Sequence, residues 1–414
     1  VPSCCDGALP LLCRCGLCCL ITILVPVALL LCQSLTANFL YDAVPIVAPA
    51  LLLIGICICC CSVRKTCCEG VLNVPDPDLL VPPLSRQNST VVDIQRVLII
   101  YNPNAGKRLA SNIMHEVVLP DLKRRGIECE TVATEHVGHA REIAATRDLS
   151  GLDALVTLGG DGTFHELVNG LFARQDGRRI PVSLIPLGSG NGLAATLRQN
   201  MRRRGTEVNV WAELDDVLQW SLDTIAGGRV AHMDLLELEV QGRRILSIMQ
   251  VYFGLLAEID ILAEPFRWLG PARLELLSIW SILKKTSKDF KCVIRKADGS
   301  SRELQPNAVG GCVGLSQHFD DKLRAVPQAQ LDDGLAELNI VSAEASVDET
   351  LAGFLKMPHG AHTQDHNIWQ SEQIVSIDLD FGAAGVFNVD GEILEHDGKL
   401  HLEVLPQVLD ILVG

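Results

Sequence analysis

The sequence has little positive charge. Its 35 lysines and arginines stand against 50 aspartates and glutamates, so the formal net charge over 414 residues is -15. Almost none of this charge comes from the first seventy residues. An acidic region of this kind argues against nucleic acid as a partner and gains no electrostatic attraction to anionic lipid. Any contact with a membrane must therefore come from another part of the chain.

Several common signatures are missing. Thirteen of the sixteen cysteines lie at or before Cys68, side by side in apolar sequence and without a histidine at ligand spacing, so no zinc finger is predicted. A Walker A phosphate loop is absent, because GxxxxGK[ST] does not occur. There is no internal repeat. With 48% hydrophobic residues, the chain has material for two sizeable domains and an additional N-terminal segment.

Two apolar runs mark that segment, residues 17–35 and 44–61. Neither contains a charged residue, and each is long enough to cross about 30 Å of hydrocarbon as a helix. Arg14 precedes the pair and Arg64 with Lys65 follows it, which predicts that both ends face the cytosol. The sequence therefore predicts a Cys-rich membrane-anchoring hairpin over residues 1–70, with the rest of the chain in the cytosol. A cleaved signal peptide and a shallow interfacial hairpin are the alternatives.

The region that borders the hairpin suggests a modification and a linker. Cys67 and Cys68 stand beside basic residues and are candidates for S-palmitoylation, whereas cysteines within the apolar runs are equally well explained as small apolar filler. Prolines at 75, 77, 82 and 83 then indicate an extended linker over residues 71–93.

The most informative motif is GGDGTFHELVNG, residues 159–170, which follows the short apolar strand DALVTL. Its glycines let backbone amides approach a ligand closely, and the start of the following helix offers unpaired N–H groups to an anion. Asp161 fits such a place if it meets Mg²⁺ or takes a proton from an attacking hydroxyl. A tight turn with Asp161 as helix cap is the alternative.

Two other glycine-bearing loops follow apolar strands. NPNAGK, residues 102–107, offers Lys107 as a point charge for phosphate, and GSGNGLA, residues 188–194, opens another helix. Ligands of open α/β sheets bind at the carboxyl ends of the strands, so three such units predict an α/β domain with a phosphate site. After Gly227 and Gly228, alternating patterns such as MDLLELEV and IVSIDLDF indicate antiparallel strands.

The motifs together carry a resemblance. NPNAGK, Thr134, GGDGTFHELVNG, PLGSGNGLA and VDGE occur in the order and approximate spacing of the diacylglycerol kinase catalytic superfamily, and from about Ile94 onward the chain looks most like the sphingosine kinases. The resemblance implies an α/β plus β fold: an α/β ATP-binding lipid kinase domain over residues 94–227 and a C-terminal antiparallel β-sandwich, binding lipid, over residues 228–414. ATP, with Mg²⁺, would lie in the cleft between them.

The resemblance also implies site residues. Asp161 would be the general base, and no metal ligands are assigned. The implied nucleotide contacts are Asn102, Asn104, Lys107, Thr134, Gly160, Gly162, Glu166, Gly188, Ser189, Gly190, Asn191, Arg267, Arg273, Asp390, Gly391 and Glu392. The two arginines would stabilise charge on the transferring phosphoryl group, and solvated surface charge is the alternative for both.

A lipid site is implied by residues 252–277, which resemble the sphingosine kinase stretch that recognises the amino-alcohol head of the substrate. The matching carboxylate is Asp260, and an ammonium on an alkyl tail does need one carboxylate in an apolar channel. Leu255, Leu256 and Ile259 are candidates to line that channel, with ordinary core packing as the alternative. His362 falls where the family has a histidine near the substrate mouth.

The predicted reaction is transfer of the γ-phosphoryl group of Mg·ATP to the primary hydroxyl of sphingosine or a related long-chain base. Three positions depart from the family pattern and bear on the choice of acceptor: Gly159 stands in place of serine, Asn104 in place of arginine and Arg108 in place of a glycine. The alternatives are a ceramide or diacylglycerol kinase, an NAD kinase, and a catalytically silent, membrane-tethered nucleotide-binding module.

Overall fold

The computed structural model describes residues 89–202, 214–263, 265–266 and 272–414. The two predicted membrane spans, residues 17–35 and 44–61, lie outside these ranges, as do the cysteines proposed for palmitoylation and most of the predicted linker. Among the described residues, no helix combines the length and the apolar character that a membrane span requires.

A parallel sheet forms the first part of the fold. Its strands pair in the order β5–β4–β2–β3. β2, β4 and β5 are mostly apolar and buried, as expected for strands covered on both faces, whereas the edge strand β3 is partly polar and partly exposed. Their bounds are β2 Arg96–Tyr101, β3 Glu128–Ala133, β4 Ala154–Gly159 and β5 Val182–Pro186. The chain runs from β2 outward to β3 and then returns to β4 on the other side of β2. The loops after β2 and β4 therefore flank a crevice at the carboxyl edge of the sheet.

Helices cover both faces of this sheet. They are α1, residues 110–124, with a π-helical turn at Met114–Val118; α2 His139–Thr146; α3 Asp161–Phe172; α4 Gly192–Arg202; and α5 Leu214–Gly227. Side chains alternate between two cores. Ile99 and Val156 belong to the core that α1 and most of α5 cover, whereas Leu98 and Leu155 belong to the core that α2, α3 and α4 cover. This packing holds each glycine-bearing loop between a buried strand and a buried helix.

The second part of the fold is a sandwich of antiparallel strands. One of its sheets has seven strands, in the order β14–β13–β12–β8–β16–β17 with β9 paired to β12. The other is the antiparallel portion of the first sheet, β11–β10–β15–β18, with β6 paired to β18, β7 and β1. Buried residues from both sheets, such as Leu238, Leu338 and Phe387, share one core.

The remaining bounds complete the architecture. The strands are β1 Thr90–Val91, β6 Arg229–Val240, β7 Arg243–Ser247, β8 Gln250–Gly254, β9 Lys288–Asp289, β10 Lys291–Arg295, β11 Ser301–Leu304, β12 Asn307–Gly314, β13 Ala336–Ser342, β14 Trp369–Ile374, β15 Ser376–Asp380, β16 Gly385–Val389, β17 Glu392–His396 and β18 Lys399–Leu412. The helices are α6 Leu255–Ala263, α7 Ala272–Lys284 and α8 Val347–Lys356, and α8 begins at a capping box of Ser346 and Glu349.

The long strand β18 joins the two parts. It pairs antiparallel with β6 from His401↔Glu239 to Leu412↔Val230, and it reaches the parallel strands where Ile411 pairs with Val182 of β5. The result is one continuous sheet of eleven strands.

Contacts divide the chain into two compact units. The larger contains Asp76–Leu262 and Ser281–Gly414, including every strand described above, and the smaller includes Ala263–Trp280.

Candidate active site

Asp161 is the first residue of α3 and lies at the crevice. The preceding residue, Gly160, is extended and serves as the N-cap. The Asp161 carboxylate accepts hydrogen bonds from the amides of Gly192 (3.0 Å) and Leu193 (3.3 Å), which begin α4. A helix start carries partial positive charge, so this place stabilises an anionic side chain.

The surroundings of Asp161 change its proton affinity. Burial raises the pKa of Asp161 from 3.8 to about 6, the negative charge of Asp390 adds to the rise, and the α4 amides oppose it. The residue keeps some contact with solvent. An aspartate with this pKa is mostly ionised at neutral pH and holds a proton more strongly than an ordinary aspartate, which suits a general base.

The three predicted loops meet at this point, and their glycines are required there. A Cβ on Gly188 would lie 2.5 Å from the Cα of Gly160, and one on Gly106 would lie 2.5 Å from the Leu187 Cγ. Gly106 also has a φ of 59°. The Asn191 side chain fixes the third loop, because its Oδ1 accepts from the Gly188 amide (2.8 Å) and its Nδ2 donates to the Gly188 carbonyl (2.9 Å).

The polar residues after β2 and β3 extend the same edge. The Asn102 side chain accepts from the amide of Asn104 (2.9 Å), and the amide of Thr134 donates to the carbonyl of Tyr101 (2.8 Å). Asn104 and Lys107 are exposed. The structure therefore brings the carboxyl ends of all four parallel strands together, and Lys107 lies exposed after the first of them.

Glu166 has partners within the protein. Its carboxylate accepts from the amide of Gly138 (2.8 Å) and from that of Ala140 (3.1 Å), both at the start of α2. These amides have no partner within the helix, and a carboxylate is their best acceptor. The Glu166 side chain therefore holds the loop that follows Thr134, and its contact with a nucleotide stays a prediction.

Asp390 is also engaged within the protein. It follows β16 in a two-residue turn and is buried. Its Oδ1 accepts from the Ser247 hydroxyl (2.8 Å), the Met249 amide (3.0 Å) and the Gln250 amide (2.9 Å), and its Oδ2 accepts from the Ile248 amide (2.7 Å). The carboxylate therefore organises the β7–β8 connection. Nucleotide contact stays a prediction for the backbone of this turn and for Glu392.

His165 is a site residue that motif reasoning missed. It is fully buried in α3, and its Nδ1 lies 2.8 Å from the Asp390 Oδ2. Burial lowers the pKa of His165, but the hydrogen bond and charge of Asp390, with the charge of Glu392, outweigh it, so that the pKa is raised overall. Only its place within GGDGTFHELVNG marked it in the sequence, because its partner lies 225 residues away.

A loop between β12 and β13 also reaches the site and was missed. The Asp321 amide donates to the Gly190 carbonyl (2.8 Å), and Asp320 forms an isolated antiparallel bridge with Asn191. A cavity of about 400 Å³ lies beside this contact. It is lined by Gly106, by Gly188 and Asn191 of the third loop, by the buried Arg198 and by Lys322. Nothing in the sequence marked this loop, because its role depends on contacts over more than a hundred residues.

The predicted lipid residues fall into two groups. Leu255 and Ile259 are buried in α6, and Leu256 is half-buried. Asp260 belongs to α6 and Arg273 to α7, but their side chains lie outside the described part, as does Arg267 altogether.

His362 is fully buried rather than placed at an open mouth, which corrects the expectation. Its Nε2 donates to the Ala325 carbonyl (3.0 Å), its ring packs edge-on against Trp369, and burial lowers the pKa of His362 to about 4.

The donors at the crevice fit a nucleotide with Mg²⁺. Glycine-loop amides and Lys107 suit phosphate, and Glu392, with a side chain 33% exposed, offers oxygen ligands of the kind that Mg²⁺ prefers. Within the described ranges, His136, His139 and Glu142 form a second cluster of metal-ligating types. However, the Nδ1 of His139 accepts from the Glu135 amide, so its Nε2 carries the proton and is not a ligand.

Comparison with known proteins supports one family. Residues 96–237 match the family model of the diacylglycerol kinase catalytic domain, and residues 249–413 match that of the YegS C-terminal NAD kinase beta sandwich-like domain. A solved structure from Bacillus anthracis str. Sterne, provisionally described as a diacylglycerol kinase, shares the fold at a TM-score of 0.59 and 20% identity, over 78% of this chain and 98% of that one.

Similar curated proteins are sphingosine kinases. Sphingosine kinase 1 of Arabidopsis thaliana is 30% identical over 46% of this chain and 37% of that protein, and sphingosine kinase 2 of Homo sapiens is 38% identical over 44% and 27%. Sphingosine kinase 1 of Mus musculus is 28% identical over 72% of this chain and 86% of that protein. The two family models match consecutive parts that fold as a nucleotide domain and a sandwich, so residues 96–237 form a diacylglycerol kinase catalytic domain and the chain is a sphingosine kinase-like lipid kinase.

Proposed function

We propose that the protein transfers the γ-phosphoryl group of ATP to the primary hydroxyl of sphingosine or a related long-chain base. The observation that carries this proposal is the position of Asp161. Its carboxylate lies where the glycine loops meet, against the start of a helix, and burial raises its pKa to about 6. A proton acceptor beside phosphate-binding amides is what transfer to a hydroxyl requires.

In the proposed reaction, Asp161 takes the proton of the lipid hydroxyl while the hydroxyl oxygen of the lipid bonds to the γ-phosphorus. The bond from that phosphorus to the β-phosphate oxygen breaks, and ADP is released. The glycine-loop amides and Lys107 hold the phosphates, and Arg267 and Arg273 stabilise the charge on the transferring group. Mg²⁺, held with the help of Glu392, would neutralise phosphate charge. Positioning of the base contributes on the order of 10²- to 10⁴-fold in rate.

The choice of acceptor depends on Asp260. Asp260 belongs to α6, which also carries the buried Leu255 and Ile259, and a carboxylate suits an ammonium at the end of an alkyl chain. Ceramide and diacylglycerol carry no ammonium and would form no ion pair with this carboxylate. Diacylglycerol remains the second candidate, since the family model that matches residues 96–237 describes diacylglycerol kinases.

The test is a radiolabelled ATP assay with sphingosine, ceramide and diacylglycerol in mixed micelles. We expect label in sphingosine, loss of turnover with retained ATP binding in Asp161→Asn, and a raised KM for sphingosine in Asp260→Asn. Preferential labelling of diacylglycerol would establish the second candidate. No transfer to any acceptor would instead indicate a silent nucleotide-binding module.

We also infer that residues 1–70 attach the catalytic region to a membrane, with that region in the cytosol. Support comes from the two uncharged apolar runs and their basic flanks. The expected result is that the full chain resists extraction by high salt and carbonate but not by detergent, and that protease added to intact vesicles removes the catalytic region. Release by salt alone would contradict the membrane hairpin.

A further inference from the structure

We propose that His165 is a positioning residue that, through Asp390, fixes the β16–β17 turn carrying Glu392 against the helix that begins at Asp161. This inference rests on the proposed function, since its effect on turnover is measured in phosphoryl transfer. His165 follows Asp161 by four residues, so both side chains lie on one face of α3. That face is turned toward the sandwich, where the His165 Nδ1 meets the Asp390 Oδ2 at 2.8 Å.

Asp390 depends on this histidine for its fifth hydrogen bond. Its carboxylate accepts from a hydroxyl and three amides of residues 247–250, and the remaining partner is the His165 Nδ1. The side chains of Asp390 and His165 are both fully buried, and a buried polar group that loses a hydrogen bond is costly. Loss of the His165 donor would therefore remove one of the two donors that reach the Asp390 Oδ2.

Two further hydrogen bonds fix the same helix to β7. The Asn169 Nδ2 donates to the Leu246 carbonyl (2.8 Å), and the Leu246 amide donates to the Asn169 Oδ1 (3.0 Å). Asn169 lies one turn after His165, and its Nδ2 is also 3.3 Å from the His165 Nε2. Helix α3 is therefore bound at two successive turns, by His165 to Asp390 and by Asn169 to Leu246 of β7, and the β7–β8 connection that follows holds the Asp390 carboxylate.

The same contacts determine the position of Glu392. Val389 pairs with Val251 of β8, so Asp390 and Gly391 begin the turn from a fixed register. Glu392 starts β17 with its Oε2 3.9 Å from the His165 Nε2, and a third of its side chain remains exposed. The negative charge of Asp390 also contributes to the raised pKa of Asp161. One buried histidine thus links the proposed base and the exposed glutamate, which come from different parts of the chain.

Two polar substitutions separate this role from simple packing. The amide nitrogen of His165→Asn occupies the place of Nδ1 and can donate to Asp390, whereas that of His165→Gln reaches the place of Nε2 and cannot. We expect His165→Gln to lower kcat about 30-fold with less than a threefold change in the KM for ATP, and His165→Asn to stay within about fivefold of wild type, because small displacements of catalytic groups are costly. Equal kcat values in the two variants would overturn the proposal.

A double-mutant cycle identifies the path. If His165 acts through Glu392, then His165→Gln should change kcat by less than about threefold in a Glu392→Gln background. Independent effects that multiply would contradict the proposal. Hydrogen exchange of the amides at 248–250 gives a readout without activity: faster exchange is expected in His165→Gln and not in His165→Asn. Unchanged exchange would refute the anchor, whereas an inactive wild type with the expected exchange pattern would refute only the proposed function.

Discussion

Replacement of Asp161 by asparagine should remove turnover and, above neutral pH, stabilise the protein. The carboxylate is held in a buried place where its pKa is raised, so the folded state binds the proton more tightly than the unfolded chain does. The stability that this group contributes is fully present below pH 4 and is lost as pH rises through about 6. Asparagine carries no charge at any pH, so the variant does not lose this stability as the pH rises. Such a trade between stability and activity is common at catalytic sites.

The magnitude follows from the shift in pKa. A rise from 3.8 to about 6 corresponds to about 3 kcal/mol between the acid and alkaline limits, of which about 2 kcal/mol falls between pH 4.5 and pH 8. The amide of asparagine cannot accept from both Gly192 and Leu193, which costs about 1 kcal/mol at every pH. That cost displaces the stability difference without changing its dependence on pH.

The assay compares thermal midpoints of the nucleotide-free wild type and variant at pH 4.5 and pH 8. The midpoint of Asp161→Asn relative to wild type should rise by about 4 °C between the two pH values. Asp153→Asn is the control for the same substitution away from the site, because the amides of Gln95 and Arg96 both donate to the Asp153 Oδ2, a place that the carbonyl oxygen of asparagine can take. A midpoint difference that is the same at both pH values would refute the buried-carboxylate reasoning, and full turnover in Asp161→Asn would refute the base.

Three further outcomes are expected. The steady-state kcat/KM should fall about tenfold from pH 7 to pH 5, because Asp161, with a pKa of about 6, must be ionised to accept a proton; a flat profile would contradict this. Gly106→Ala should unfold more easily than Gly177→Ala and raise the KM for ATP. Both positions have positive φ, which costs an alanine about 1 kcal/mol, but only a Cβ at position 106 meets Leu187, at a further cost of about 1–3 kcal/mol. Equal unfolding midpoints of the two variants would refute the close approach. Glu166→Gln should lower stability by about 1 kcal/mol and raise the KM for ATP severalfold, since the cap of α2 holds the loop after Thr134; an unchanged KM would separate that loop from the nucleotide.

The position of Asp161 could be predicted because it depends on local pattern. An apolar strand, a glycine turn and an amphipathic helix recur three times, and the carboxyl ends of parallel strands necessarily share one edge. The order of NPNAGK, GGDG and GSGNG therefore determines which residues meet. The antiparallel sandwich followed in the same way from the alternation of apolar and polar residues after Gly228.

The tasks of individual carboxylates could not be predicted from pattern. Glu166 and Asp390 stand in the same motifs as Asp161 and Glu392, yet the structure uses both to accept amides from a distant turn. A carboxylate that faces a nucleotide and one that faces an unpaired amide look alike in a sequence. The partners of His165 and of Asp321 were missed for a related reason, because each contact joins segments more than a hundred residues apart.

The continuous sheet has a consequence for how the protein is made. Strand β5 has its outer neighbour, β18, only after about two hundred further residues have been added by the ribosome, and β6 waits nearly as long for the same partner. Until then the nascent nucleotide domain exposes a pairing edge and part of its core, a state prone to aggregation and dependent on chaperones. Closure of the sheet by β18 is a long-range and therefore slow step, so that catalytic competence should appear only after synthesis of the strand is complete.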